Sequence, residues 1–206
     1  MLIVQLADLN QATIDFSILS SQVIEQANKL NVDRKKQFLV CRSLLARLLK
    51  DNWGEQVLPP IMIGENSRPC FIDKHLPDFN ISHSKHMVAV AISSKQHVGV
   101  DIEFARNRKN YLTVAKHFFS ECENTWLHKQ PDSLEAFWQL WTLKESALKL
   151  YSKGVWQMKS VNIDVEHKVI SAPFAKAFYF QYHRIKNVHI SISSDKPIDN
   201  LVLIPH

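Results

Sequence analysis

The stretch Val98-Gly99-Val100-Asp101-Ile102-Glu103 alternates small or aliphatic residues with acidic ones. Because successive side chains of a β-strand point to opposite faces, it predicts a strand with a buried aliphatic face and with Asp101 and Glu103 side by side on the other face. Two carboxylates so close repel each other unless a proton or a cation lies between them. Mg²⁺ is typically held by one or two carboxylates together with water and phosphates. The stretch therefore indicates a magnesium site or, more plainly, a strand with a solvated acidic face.

Length and composition allow one large domain or two small ones. The chain has 206 residues, 46% of them hydrophobic and 22% charged, so a packed core is expected. The formal net charge of +5 suggests an anionic partner: a polyphosphate cofactor, an acidic protein or nucleic acid. Only four glycines occur, and none forms a glycine-rich phosphate loop. Phosphate binding must therefore depend on side chains and a metal ion.

The sequence also bears on the compartment. The three cysteines, Cys41, Cys70 and Cys122, are far apart and form no C-x-x-C motif, which disfavours a zinc site or a disulfide framework and favours a reducing compartment. Residues 1–6 have no basic leader, so we read them as a strand and not as a signal peptide. No apolar run approaches the ~20 residues that a membrane span needs. We therefore expect a cytoplasmic protein without a membrane partner.

A helix predicted over 133–153 is the second informative element. Its apolar stripe at helical spacing consists of Leu134, Phe137, Trp138, Trp141 and Leu148. Glu145 falls on the same stripe, where a carboxylate is costly unless it is paired or bound to a cation. A surface pair with Lys149 at i,i+4 is worth only about 0.3–0.5 kcal/mol and does not explain why Glu145 faces the aromatic side. We therefore predict Glu145 as a third metal ligand, and Gly154 as a left-handed cap that ends the helix.

Periodicity and capping residues place the other elements. Helices are expected at 18–30, with Ser17 or Ser20 as the cap, and at 34–50. Ser120 and Glu123 have the spacing of a capping box, a structural role that we prefer for Glu123 over a catalytic one. Residues 87–103 are predicted to form a hairpin. Further strands are expected at 1–7, 61–63, 160–165, 168–171, 176–184, 187–193 and 200–204.

Three segments together resemble the signature set of the 4′-phosphopantetheinyl transferase superfamily. They are residues 98–103, Phe119-Ser120-x-x-Glu123 and Trp141-Thr142-Leu143-Lys144-Glu145-Ser146-Ala147-Leu148-Lys149. Their spacing is similar to that of the larger, monomeric type that activates acyl carrier proteins and synthetases. Upstream, Arg42, the Arg68-Pro69 turn and Phe79-Asn80-Ile81-Ser82-His83-Ser84 are similar too. One departure is Ser67-Arg68-Pro69 where the family usually has Gly-Lys-Pro, which keeps the charge but loses the freedom of glycine.

The resemblance implies an α+β fold of two similar halves, each a small antiparallel sheet packed on a long helix, with the active site between them. The halves would be residues 1–97 and residues 98–206, the second carrying the metal site. The helices 34–50 and 133–153 would be the long ones. No internal repeat is visible in the sequence, so the duplication rests on the resemblance alone.

The resemblance also implies a reaction. The 4′-phosphopantetheine group of coenzyme A is transferred to a serine of an apo acyl or peptidyl carrier protein, and adenosine 3′,5′-bisphosphate leaves. Such chemistry needs charge neutralisation and in-line positioning more than covalent help. Mg²⁺ would be the cofactor and coenzyme A the co-substrate. The protein would be a monomer with no nucleic-acid partner.

Residue roles follow from the same resemblance. Asp101, Glu103 and Glu145 would hold Mg²⁺ on the pyrophosphate. Glu145, or a metal-bound water, would accept the serine proton, and Lys149 together with Lys144 would offset phosphate charge. The nucleotide end and its 3′-phosphate would be bound by Arg42, Arg68, Ser82 and His83. The basic connection 105–110 would dock the carrier.

Two other classes compete with this interpretation. A non-catalytic nucleotide-binding or nucleic-acid-binding protein is favoured slightly by the basic charge. Stacking on bases, however, needs exposed aromatic residues within a basic patch, and two of the five tryptophans, Trp138 and Trp141, lie on the apolar helix stripe instead. A magnesium-dependent phosphohydrolase could use three carboxylates, but the sequence offers no candidate nucleophile and no second metal set.

Overall fold

The computed structural model describes residues 1–175 and 178–205. Within them the helices are α1 Ser21–Asn28, α2 Val32–Trp53, α3 Tyr111–Phe118, α4 Glu121–Lys129 and α5 Ser133–Leu150. The strands are β1 Leu2–Asp8, β2 Ile61–Ile63, β3 Pro69–Phe71, β4 Asp78–Ser84, β5 Met87–Ser93, β6 Val98–Phe104, β7 Asn162–Asp164, β8 Val169–Ser171, β9 Tyr179–Ile185, β10 Val188–Ser194 and β11 Leu201–Ile204. Among these residues, no helix is long and apolar enough to span a bilayer.

Capping side chains define the ends of the helices. Ser20 and Asn31 accept backbone N–H groups at the starts of α1 and α2, which satisfies donors that have no partner inside the helix. Gly54 closes α2 in the left-handed conformation, at φ 78°. Ser120 and Glu123 form both bonds of the predicted capping box at the start of α4. The structural role predicted for Glu123 is therefore confirmed.

Two sheets lie between the two long helices. The first sheet has the order β11-β1-β5-β4, in which β1 and β11 run parallel and the other pairs antiparallel. The second sheet has the order β6-β10-β9 and is antiparallel throughout. One apolar cluster joins α2 to the first sheet, another surrounds α5, and a third lies between the inner faces of the two sheets. The α+β architecture predicted from the sequence is confirmed.

The predicted hairpin over 87–103 is wrong. β5 pairs with β1 and β4, whereas β6 pairs with β10, so the connection between β5 and β6 passes from one sheet to the other. Val98, Val100 and Ile102 pack against the first sheet face to face, and a strand in the same sheet as β5 could not do this. The tight hairpins are instead β4–β5 and β9–β10.

β4 and β6 are joined by side chains and not by a backbone ladder. Every second side chain of β4 accepts a backbone N–H of β6, in four rungs that we call the seam. The rungs are Asp78 Oδ2 to Val98 N (2.8 Å), Asn80 Oδ1 to Val100 N (3.2 Å), Ser82 Oγ to Ile102 N (3.2 Å) and Ser84 Oγ to Phe104 N (3.3 Å). The seam satisfies backbone donors at a strand edge that would otherwise be buried without partners.

The end of α5 differs from its prediction. The helix stops at Leu150, and Ser152 takes the left-handed conformation at φ 53°. Gly154, the predicted cap, is extended at φ −84°. A Cβ at Gly154 would lie only 2.2 Å from the ring of Trp156, an exposed side chain that could turn away, so this glycine neither caps the helix nor is fixed by close packing.

The C-terminal strand crosses between the halves. The predicted boundary after residue 97 falls on the connection between β5 and β6, but β11 lies in the first sheet beside β1. Residues 155–160 form a 3-10 helix, so the predicted strand 160–165 shortens to β7. Of the predicted strand 176–184, residues 176 and 177 lie outside the described residues, and β9 covers most of the remainder.

Candidate active site

Gly99 allows α5 to lie directly against β6. A Cβ at this position would lie 2.1 Å from the carbonyl oxygen of Ser146 and 2.7 Å from the backbone nitrogen of Leu150. Only glycine fits, because both atoms belong to the helix backbone and cannot rotate away. The close approach brings this part of α5, with Glu145 and Lys149, next to the carboxylates of β6.

Asp101 is the buried centre of the site. Its Oδ1 accepts hydrogen bonds from Ser82 Oγ at 2.9 Å and from Lys149 Nζ at 2.6 Å. Its Oδ2 is buried and has no hydrogen-bond partner among the described residues. Burial raises the pKa of Asp101, against the effect of the Lys149 ammonium, which lowers it. One oxygen of Asp101 is thus held by the protein, and the other lacks a donor or a cation.

Glu103 repeats this arrangement two residues further along β6. Its Oε2 accepts from Ser84 Oγ at 2.6 Å and from Arg106 Nη1 at 2.8 Å. Within the described chain, no hydrogen bond or ion pair uses Oε1. Each carboxylate of β6 is therefore held at one oxygen by a serine of β4 and by one cationic side chain.

Glu145 has neither a hydrogen bond nor an ion pair in the described part of the chain. Burial, together with the charges of Asp101 and Glu103 and against the effect of Lys149, raises its pKa to about 7. The i,i+4 surface pair is not formed, because the Lys149 ammonium binds Asp101 and Ser82 instead. The α5 helix thus contributes a carboxylate without a counter-ion and an ammonium group to the same site.

The carboxylate oxygens of Asp101, Glu103 and Glu145 are chemically suited to bind a hard divalent cation. As they stand, no three acidic, histidine or cysteine side chains among residues 1–175 and 178–205 form a group that could hold a metal ion. Nevertheless, Asp101 Oδ2 is buried without a hydrogen-bond partner in the part of the chain that the structure describes, and the pKa of Glu145 is raised by burial and by the neighbouring carboxylates. Carboxylate oxygens are the ligands that Mg²⁺ prefers. The site is therefore compatible with the predicted magnesium.

Three of the residues predicted for the nucleotide end have different surroundings. Ser82 lies inside the site, where its hydroxyl contacts both Asp101 and Lys149. His83 is exposed, and its pKa is lowered by partial burial and by the charges of Lys149 and Arg34. Arg42 is 8% exposed, with its guanidinium 4.9 Å from the Phe38 ring centre and Nη1 without a hydrogen-bond partner among the described residues.

The Arg68 guanidinium is committed to other parts of the protein. Its Nη1 donates to the backbone carbonyls of Lys149 and Leu150 at the end of α5. Its Nη2 donates to Asp78 Oδ2 at 2.5 Å and to the Val98 carbonyl at 2.9 Å. Arg68 therefore connects α5 to β4 and β6, and these hydrogen bonds oppose the predicted phosphate contact. Its neighbour Ser67 adopts φ 65°, the conformation that the usual family glycine takes without strain.

Lys144 is not brought to the site. Its ammonium is completely buried and forms an ion pair with Glu123 Oε2 at 2.8 Å. It also donates to the carbonyls of Met158 and Val161. Burial lowers the pKa of Lys144, and Glu123 opposes that shift. The predicted role of Lys144 in phosphate binding is not supported, because its three donors already have partners.

Two residues of the site were not among those predicted for it. Ser84 contacts Glu103 from β4, and Arg106, which was predicted only as part of the carrier dock, forms the ion pair with Glu103. A signal for Ser84 was present, because Asp78, Asn80, Ser82 and Ser84 place four polar side chains on one face of a strand. The partner of those side chains, the edge of β6, could not be read from the sequence.

The connection 105–110 is packed onto α5. The Arg106 guanidinium lies 4.5 Å from the centre of the Trp138 ring, and the indole nitrogen donates to the Arg106 carbonyl at 3.1 Å. Arg108 lies 5.5 Å from the Trp141 ring centre and 5.6 Å from that of Phe137. These contacts fix the basic connection beside the carboxylates.

The site thus lies in an α+β fold. A pair of carboxylates on one strand faces a lysine and a third carboxylate on a long helix. Residues 97–202 match the 4′-phosphopantetheinyl transferase superfamily, and this match covers more than half of the chain. The chain belongs to this superfamily.

Particular relatives are found in several bacteria. The chain is 33% identical over 178 residues to a putative 4′-phosphopantetheinyl transferase of Haemophilus influenzae, which covers 81% of this chain and 75% of that protein. It is 36% identical over 131 residues to the 4′-phosphopantetheinyl transferase AcpT of Escherichia coli, covering 63% of this chain and 64% of AcpT. It is also 38% identical over 135 residues to the uncharacterized Escherichia coli protein YieE. That match covers 64% of this chain but only about half of YieE, 54%.

Proposed function

We propose that this protein transfers the 4′-phosphopantetheine group of coenzyme A to a serine of an apo acyl or peptidyl carrier protein. The serine oxygen forms a bond to the phosphorus next to the pantetheine arm. The bond from that phosphorus to the bridging pyrophosphate oxygen breaks, and adenosine 3′,5′-bisphosphate leaves. Superfamily membership and the naming of relatives as transferases support this reaction. The site geometry supports it independently.

The observation that carries the proposal is the set of carboxylates without full compensation. Asp101 has a buried oxygen that no described residue contacts by a hydrogen bond, and the pKa of Glu145 is raised to about 7 by burial and by the charge of Asp101. Buried carboxylates with uncompensated charge are typical of functional sites, where a bound cation or ligand supplies the missing charge. Asp101, Glu103 and Glu145 would hold Mg²⁺, which when bound neutralises phosphate charge.

The other groups of the site serve binding and proton transfer. Glu145, or a metal-bound water, would accept the proton of the serine hydroxyl, since a charged carboxylate beside the attacking oxygen can act as a general base. Lys149 supplies positive charge beside Asp101, where the phosphates of the substrate approach. Ser82 orients the Lys149 ammonium through a hydrogen bond of 2.9 Å.

The nucleotide end of coenzyme A is assigned to Arg42 and His83. Arg42 carries a buried guanidinium nitrogen with no acceptor among the described residues, and an anionic group of the ligand would supply one. His83 is exposed and lies within electrostatic range of Lys149. We leave Arg68 and Lys144 out of this assignment, because protein groups already use their donors.

One assay tests the proposal and separates it from its rivals. The protein is incubated with coenzyme A, Mg²⁺ and an apo carrier protein, and the carrier is weighed by mass spectrometry. Addition of one phosphopantetheine supports the transferase. Release of free phosphate without a change in the carrier supports a hydrolase, and binding of coenzyme A without turnover supports a non-catalytic protein.

Matched variants connect the assay to the site. Asp101→Asn and Glu145→Gln remove a negative charge from the site and should lower transfer by at least about 100-fold. Glu25→Gln makes the same chemical change on an exposed face of α1 and should transfer at the wild-type rate. Equal rates for all three variants would contradict the assignment of the site.

The basic connection 105–110 is proposed as the dock for an acidic surface of the carrier. Lys109 is exposed there and has no hydrogen bond or ion pair among the described residues. Lys109→Glu should raise KM for the carrier several-fold and leave KM for coenzyme A unchanged, because charges at a rim mostly affect association. Arg106→Glu should also disturb Glu103, since the two side chains form an ion pair.

A further inference from the structure

The hydroxyl proton of Ser84 has one available direction. The Oγ atom accepts the backbone N–H of Phe104 at 3.3 Å, and it lies 2.6 Å from Glu103 Oε2. A serine hydroxyl has one donor, and the seam already uses its oxygen as an acceptor. The proton therefore points to Glu103. The side chain is 6% exposed, so water competes little for this bond.

Arg106 contacts the same oxygen from outside but holds it less firmly. Its side chain is 39% exposed, whereas that of Glu103 is 20% exposed. Partly exposed ion pairs of long side chains contribute little, because solvent screens them and both chains lose rotamer freedom. The short bond from Ser84 is thus the stronger constraint on the orientation of the Glu103 carboxylate.

We propose that Ser84 is a positioning residue, which fixes Glu103 by Oε2 and so presents Oε1 to the divalent cation. This inference rests on the metal site of the proposed function. Ser82 supports it, because the same strand repeats the arrangement: Ser82 binds one oxygen of Asp101, and the other oxygen has no partner among residues 1–175 and 178–205. Two successive serines of the first sheet thus orient two successive carboxylates of the second.

The consequence for metal binding can be measured without turnover. Side chains that orient a metal ligand typically contribute 10–100-fold to metal affinity. We expect Ser84→Ala to weaken Mn²⁺ binding by about 10-fold, because Glu103 then loses its buried donor. Binding is measured by electron paramagnetic resonance of free Mn²⁺ with the purified chain, in the absence of coenzyme A and carrier.

Three further variants separate positioning from a general loss of structure. Ser84→Cys keeps the size of the side chain, but its thiol is a weak donor, so it should bind Mn²⁺ as weakly as Ser84→Ala. Ser84→Thr keeps the hydroxyl and should bind within about two-fold of wild type. Asn80→Ala removes a rung of the seam that touches no carboxylate, so it should lower stability without changing Mn²⁺ affinity.

Each result has one meaning. Wild-type Mn²⁺ affinity in Ser84→Ala or Ser84→Cys would overturn the inference and leave the proposed function intact. Loss of affinity in Asn80→Ala equal to that in Ser84→Ala would overturn it too, because the effect would then belong to the seam as a whole. A wild-type protein that binds no Mn²⁺ and fails to modify any apo carrier would overturn the proposed function, and the inference with it.

Discussion

The close approach of α5 to β6 predicts a specific effect of Gly99→Ala. The added Cβ would lie 2.1 Å from the Ser146 carbonyl oxygen, and a carbon rarely approaches an oxygen closer than about 3 Å. The helix must therefore move away by about 0.9 Å. Overpacking of this kind costs about 1–3 kcal/mol, which in a protein of 206 residues corresponds to a fall in Tm of about 2–12 °C.

The same displacement should affect chemistry more than stability. The 2.6 Å contact between Lys149 Nζ and Asp101 Oδ1 bridges the helix and the strand, so a retreat of the helix lengthens it. A misplacement of about 1 Å can cost about 100-fold in rate. We therefore expect Gly99→Ala to transfer phosphopantetheine about 100-fold more slowly at temperatures where it remains folded.

A second glycine provides the control. Gly54 has φ 78° and nothing within 4 Å of an added Cβ, so Gly54→Ala introduces backbone strain without a clash. It should lose about 1 kcal/mol and keep its transfer rate. Thermal unfolding and the carrier mass assay measure both quantities. A Gly99→Ala protein with wild-type Tm and wild-type transfer would refute the role given to the close approach.

Three further predictions concern single side chains. In metal-free protein, the raised pKa of Glu145 means that its charged form destabilises the fold. This cost is absent below pH 4.5, develops between pH 4.5 and about pH 7, and is complete above that pH. Glu145→Gln should therefore raise the free energy of unfolding at pH 8 by at most about 3 kcal/mol but not at pH 4, which urea unfolding in EDTA at both pH values measures. Ser67→Gly should stabilise the protein by about 0.5–1 kcal/mol, because residue 67 has φ 65°, a left-handed conformation that strains any residue except glycine. The same change at exposed Ser94 should not stabilise it, and equal effects of the two changes would contradict the argument. Arg68→Lys should lower the free energy of unfolding in urea by about 3 kcal/mol, because one ammonium group cannot reach both the α5 carbonyls and Asp78. An unchanged stability would show that the guanidinium hydrogen bonds are dispensable.

Local patterns were sufficient to predict β6 and α5. The alternation in β6 and the helical spacing of the aromatic stripe depend only on neighbouring residues, and both elements formed, although α5 ends at Leu150 and not at residue 153. Strand pairing depends on distant residues, so the hairpin prediction failed. The aliphatic residues of β6 needed a second sheet as a partner, and the sequence of β5 and β6 alone does not reveal it.

Several site residues were predicted from the family resemblance, which does not reveal their surroundings in the fold. Lys144 and Glu145 are neighbours, but on a helix they point about 100° apart. Only the packing of α4 shows that Lys144 faces Glu123 while Glu145 faces the carboxylates of β6. Arg68 was predicted to bind phosphate because the Arg68-Pro69 turn resembles that of the family, yet its donors bind carbonyls 81 and 82 residues further along the chain. Contacts of that range cannot be read from spacing.

A strand edge that is satisfied by side chains is open to change by single substitutions. A backbone ladder is nearly indifferent to sequence, so point mutations seldom alter the spacing of the strands it joins. Here each hydrogen bond of the seam depends on the side chain of a single residue of β4, from Asp78 to Ser84. Exchange of one rung for a longer or shorter polar residue could shift one sheet against the other by a fraction of an ångström. Relatives could therefore diverge in the distance between their two halves without rebuilding either core.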